Sequence, residues 1–277
     1  MARRWALAVL LCMPAIAAET DTVDAALKRM YQFDFPASQD ILTRVISQHP
    51  QDPLPYAFRA SAYLFYELDR MSILESEFFT DDKRIADKRK KLDPDPLIRE
   101  KFLKAVHDAE TRADDALKAN PNNREALFAM CIAQGVSTDY MAFVEKRQIA
   151  SLSVAKRSNS YAQQLLRLDP KFYDAYLSAG ITEYMVGSLP FFVRWFVKFD
   201  NVAGSKEKGI QNLQTAAREG RYFRPMAKIL LCLVALREKR QQDARVMLAE
   251  LARDYPSNPL FRSELAKLTP KIGASAN

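Results

Sequence analysis

Apolar positions recur along this chain in a fixed pattern. A small residue is followed four positions on by an apolar residue, three further on by another, and five beyond that by proline. Ser38, Leu42, Val45 and Pro50 set it out. Ala109, Ala113, Ala116 and Pro121 repeat it, as do Ser158, Ala162, Leu165 and Pro170, and then Ala244, Leu248, Leu251 and Pro256. The first three positions share one face of a helix. The proline then stops the helix and opens the next turn, helped by Asn120 and Asp169 directly before it in two copies. Gly209, Leu213 and Ala216 form a weaker copy that ends at Gly220 without a proline. A second kind of helix is expected after three of these prolines, carrying Tyr56, Ala60 and Tyr63, then Leu127 and Cys131, then Tyr176, Gly180 and Glu183. Small residues at 60 and 180 let a neighbouring helix approach closely.

This alternation resembles the tetratricopeptide repeat, a helix–turn–helix unit of roughly 34 residues that stacks into a solenoid. The resemblance covers most of residues 21–268. It implies an all-α fold, a right-handed α-solenoid of tetratricopeptide-like helical hairpins. No interval between the four prolines equals one repeat, so the units must carry lengthened helices or insertions. The expected hairpins are 21–48, 53–119, 123–168, 171–219 and 222–254 of one domain over 19–268. A cap helix at 258–268 and a disordered tail at 269–277 complete it. The insertions are expected around 70–96, with the basic run Lys88 to Lys91, and at 187–205. A lengthened helix is expected around 139–157.

Composition narrows the class further. Of 277 residues only 7 are Gly and 3 are Cys, which argues against Gly-turned β folds and disulfide scaffolds. The 48% hydrophobic and 27% charged content is that of a folded chain. Arg3 and Arg4, the apolar run Trp5 to Met13, and Ala15-Ile16-Ala17 form a signal peptide over 1–18, cleaved after Ala17 or Ala18. The run is too short for a membrane span of roughly 20 residues, and no other segment is expected to cross a membrane. Leu11 before Cys12 is too large for a lipid-modification site. The chain is therefore expected to be exported across the inner membrane, to the periplasm or envelope of a Gram-negative bacterium. Two of the excess positive charges belong to the leader, and the remaining balance implies no nucleic-acid partner. Cys131 and Cys232 read as small buried thiols, a disulfide between them being the alternative.

No chemistry-bearing constellation stands out. His49 precedes a helix-stopping proline, and His107 lies on a charged helix; neither has a partner at metal-ligand spacing. Gly204 to Gly209 lacks the Lys-Ser/Thr of a phosphate loop and reads as a helix entry. Glu75, Glu77, Asp81 and Asp82 read as a solvated loop. The chain is expected to be a non-enzyme without cofactor or metal.

In repeats of the family this chain resembles, the first helix of each hairpin lines the concave groove. That places Phe65, Phe128, Ile132, Ile181, Tyr184, Met185 and Leu233 there as candidate partner- or ligand-binding residues, on a face that is mostly apolar. Two readings stay open: the insertions fold back and make this face core, or it holds an apolar ligand or an amphipathic partner segment. The stretch 189–199 is weighed in the same way. Phe192, Trp195, Phe196 and Phe199 form one stripe, with Arg194 and Lys198 on another side; the stretch reads as a core lid or as a membrane or partner contact. Residues 180–235, through Gly180, Ser188-Leu189-Pro190, Ala203 to Lys206, Gly209, Leu213 and Arg224, resemble Iml2-type tetratricopeptide proteins of eukaryotes, which are linked to lipid droplets or outer membranes. The expected function is a protein-binding or scaffolding role in the cell envelope, through the groove, with an unknown protein partner. The alternative is a periplasmic carrier of an apolar small molecule or lipid, with 189–199 as its lid.

Overall fold

The computed structural model describes residues 21–75, 92–189, 202 and 204–269. Among them every regular element is helical. In chain order, α1 is Val23–Tyr31, α2 Phe35–Gln48, α3 Pro53–Arg70 and α4 Pro96–Ala119. Next come α5, Arg124–Asp139, a π turn at Tyr140–Val144, and α6, Gln148–Leu168. After a 3-10 turn at Tyr173–Ala175 follow α7, Tyr176–Ser188, and α8, Lys206–Glu219. The chain closes with α9, Arg224–Arg237, α10, Gln241–Asp254, and α11, Pro259–Leu268. The leader at 1–18, residues 76–91 of the first expected insert, 190–201 and 203 of the second, and 270–277 of the expected tail lie outside the described residues. Thr269 is described and caps the end of α11.

The prolines of the repeating pattern set the helix ends. The helices α2, α4, α6 and α10 each stop two residues before their proline. The intervening residues are His49, Asn120, Asp169 and Tyr255, and all four leave the helical region, with φ between −127° and −145°. Proline's ring clashes with a helical residue before it, so the last helical residue is forced back by one. Starts are set by side-chain caps. Thr22, Asp34, Asp52, Asp95, Asn123, Ser205 and Asn258 each accept a backbone N–H of the first turn, which contributes about 1 kcal/mol per helix.

Consecutive helices pack on one another, most extensively within the pairs α3 with α4, α5 with α6 and α7 with α8. The main core runs from α1 into α6 and includes the fully buried Leu42, Phe58, Leu64, Phe102, Phe128 and Leu165. Two smaller clusters continue it: Tyr184, Leu213 and Val234 join α7, α8 and α9, and Cys232, Leu248, Leu251 and Phe261 join α9, α10 and α11. The α7–α8 crossing is very close. A Cβ on Gly180 would stand 3.0 Å from the Gly209 carbonyl oxygen, and one on Gly209 would stand 2.6 Å from the Tyr184 nitrogen.

The first helix also meets the last ones. The Tyr31 ring packs 5.6 Å from that of Tyr255. Asn258, fully buried, donates from Nδ2 to the Tyr31 carbonyl at 2.8 Å, while its Oδ1 caps α11. Asp24 forms a two-toothed ion pair with Arg221 at 3.1 and 2.7 Å.

Two expectations need correction. The stretch 139–157 is not one lengthened helix: α5 stops at Asp139, the π turn follows, and α6 begins at Gln148. The run Arg124–Val144, contrary to expectation, is long and apolar enough for a membrane span. Most of it is buried, because α5 packs against α3, α4 and α6; a core helix enclosed on several sides needs no polar face.

Candidate functional site

The site begins with the turn between α8 and α9. Asp174, in the 3-10 turn before α7, is almost fully buried. Its carboxylate accepts the backbone N–H groups of Arg221 at 3.0 Å, Tyr222 at 2.9 Å and Phe223 at 2.7 Å. Burial pushes this carboxyl above the usual carboxylate range, against the pull of the three N–H groups and Arg221. The bonds turn the 220–223 segment inward.

Tyr222 and Phe223 are thereby packed against α3 and α5. Phe58 lies 5.3 Å from the Tyr222 ring and 5.8 Å from that of Phe223. Phe128 lies 5.6 Å from Phe223 and 4.9 Å from Phe172. Arg221 lies over the Tyr222 ring at 4.7 Å while it holds Asp24. These rings form an aromatic core, filled by a helix-connecting turn.

The seven groove candidates do not converge on one surface. Phe128 and Ile132 are buried in the main core, and Phe65 packs half-buried against it. Tyr184 is buried in the α7–α8–α9 cluster. Ile181 and Leu233 are half-buried, and Met185 is 56% exposed. Beside these rings is a cavity of about 250 Å³, lined by residues that include Leu54, Glu125, Phe128, Lys171, Asp174 and Tyr222. Phe128 is the one candidate of the seven that lines it. Phe192, Arg194, Trp195, Phe196, Lys198 and Phe199 lie outside the described residues.

The points where the chain returns from the two inserts are described, and a buried glutamate holds each. Glu67 on α3 accepts the Asp95 backbone N–H at 2.8 Å and binds Arg70 through both oxygens, also at 2.8 Å. Glu183 on α7 accepts the N–H groups of Gly204 at 2.9 Å and Ser205 at 3.2 Å, and Lys208 Nζ at 2.8 Å. Burial alone would raise the Glu183 pKa. The Lys208 ammonium and the two N–H groups outweigh it and hold the carboxyl below its ordinary value. Tyr222, Phe223, Glu67 and Glu183 were not among the sequence-derived groove residues, whereas Asp174 falls on the face assigned to the groove in the fourth hairpin. The signal that points to Asp174 and Glu183 is an acidic side chain on an otherwise apolar face.

Among the described residues no group of three or more His, Cys, Asp or Glu side chains has the arrangement of a metal site. Compared with known proteins, the chain matches no family model, no curated protein and no solved structure.

Proposed function

We propose that this chain is a non-enzymatic binding or scaffolding protein of the bacterial cell envelope, built as a right-handed solenoid of tetratricopeptide-like hairpins and delivered by its N-terminal leader. The observation that carries this reading is the filled inner face. Tyr222 and Phe223 pack on Phe58 and Phe128 and occupy space that an apolar ligand would need, beside a cavity of about 250 Å³. This filled face favours recognition of a protein over carriage of a lipid. The serial packing of helix pairs and the pattern of small residues and prolines support the repeat architecture.

Native mass spectrometry of the chain purified from the envelope fraction tests the proposal, combined with photo-crosslinking from position 185. Support is the mass of the leader-free polypeptide alone, together with one discrete protein adduct. A lipid retained at one equivalent would replace the binding protein by a carrier. Recovery of the chain only from the cytosol with residues 1–18 attached would remove the envelope from the proposal.

A further inference from the structure

A second cavity, independent of the inner face, lies between α4, the C-terminal end of α5 with its π turn, and α6. Its volume is about 290 Å³. The α4 wall is a single helical face, Arg99, Phe102, Leu103, Val106 and Glu110. The π turn closes one end. There the Glu145 N–H bonds the Tyr140 carbonyl at 3.0 Å, and the Tyr140 ring stacks on Phe102 with centroids 4.3 Å apart and planes within 14°. Such turns recur at functional sites because the widened backbone re-aims a side chain.

The charges are unequally matched. At the far end, Arg157 donates to Gln134 at 2.8 Å, and Gln134 donates to Glu110, so these three groups form a chain of hydrogen bonds. At the π-turn end, Arg99 and Arg147 share one carboxylate, Glu145, at 3.3 and 3.1 Å. Three arginines face two glutamates, and the excess cation sits beside Tyr140. The hydroxyl of Tyr140 is buried and, among the described residues, has no hydrogen-bond partner, although a buried hydroxyl normally has one. Burial pushes its pKa up to about 12, with Glu67 and Glu145 adding and Arg99 and Arg70 opposing, so it remains a donor at neutral pH. A donor without a partner among the described residues, two half-exposed arginines sharing one carboxylate, and apolar walls all suit the same complement.

We infer that this cavity binds a small carboxylate with a short apolar body. The carboxylate takes bonds from Arg99, Arg147 and the Tyr140 hydroxyl, and the body rests on Phe102, Val106 and Val154. The source is either a free organic acid or the C-terminal residue of a peptide.

Calorimetric titration of the leader-free protein with octanoate, 4-phenylbutyrate and N-acetyl-leucine, each against its primary amide, tests the inference. The expected result is carboxylate binding at least tenfold tighter than amide binding. The tighter class, free acid or N-acetyl-leucine, identifies the source. Tyr140→Phe is the sharper variant. Its free-state melting temperature should stay level or rise, since the lost hydroxyl bonds nothing among the described residues, while affinity falls about fivefold, the worth of one hydrogen bond. Arg99→Gln with Arg147→Gln should weaken binding by more than tenfold without unfolding the protein. Equal binding of acid and amide, no binding at millimolar ligand, or unchanged affinity in Tyr140→Phe would overturn the inference.

Discussion

The Asp174 carboxylate accepts the Phe223 backbone N–H at 2.7 Å, 49 residues along the chain. That bond, with those to Arg221 and Tyr222, decides where two aromatic rings go. Asp174→Ala leaves three N–H groups without their acceptor, and we expect a loss of about 2–4 kcal/mol. Urea unfolding measures it, and near-UV circular dichroism should lose the aromatic signal of a packed core before helicity falls. An unchanged midpoint would mean that the turn holds itself.

Glu183 gives a pH-dependent prediction. Its folded pKa is depressed, so its contribution is present above the unfolded value, about 4.3, and is lost as pH falls through the folded one. Glu183→Gln should cost about 1–3 kcal/mol at pH 7. The gap between wild type and variant should narrow steadily below roughly pH 4. Melting curves of both proteins from pH 7 to pH 3 measure the gap, and a constant difference would contradict the assignment.

Gly209 must stay a glycine. A methyl group there would meet the Tyr184 backbone at 2.6–2.8 Å, where a main chain cannot move aside as a side chain end can. Gly209→Ala should destabilise by about 2 kcal/mol, a fall of roughly 4–8 °C in Tm for a chain of this size. Scanning calorimetry measures it.

Asn258 caps α11 and holds the Tyr31 carbonyl with the same side chain. Asn258→Ala should cost about 2 kcal/mol. Hydrogen exchange should quicken in α1 as well as in α11. Faster exchange confined to α11 would show that the tether to Tyr31 adds nothing.

Cys131 and Cys232 are free and buried. Burial raises both thiols, Cys232 to about 12. Neither should react with a thiol reagent at pH 8 in the native leader-free protein, and both should react once it is unfolded. A protein that labels only after reduction would instead contain the disulfide.

The helix ends were legible because proline acts locally. Pro50, Pro121, Pro170 and Pro256 constrain the residue before them whatever the rest of the chain does, so the all-α character followed from spacing. Gly180 was legible for a similar reason, as a small residue at a crossing position. The destination of Tyr222 and Phe223 was not. They sit in a turn after a pattern that merely stops at Gly220, and their burial depends on Asp174 across the fold. Tyr140 was equally hidden. Its inward position comes from one residue too many in a helical turn, which no 3.6-residue period records.

The bond between Asn258 and Tyr31 also has a history in time. These residues are 227 positions apart, and a ribosome adding roughly 5–20 residues per second needs about 11–45 s to connect them. For that interval the nascent first helix can lean on its early neighbours, but its anchor does not yet exist. Any factor that binds the emerging chain has that window to do so.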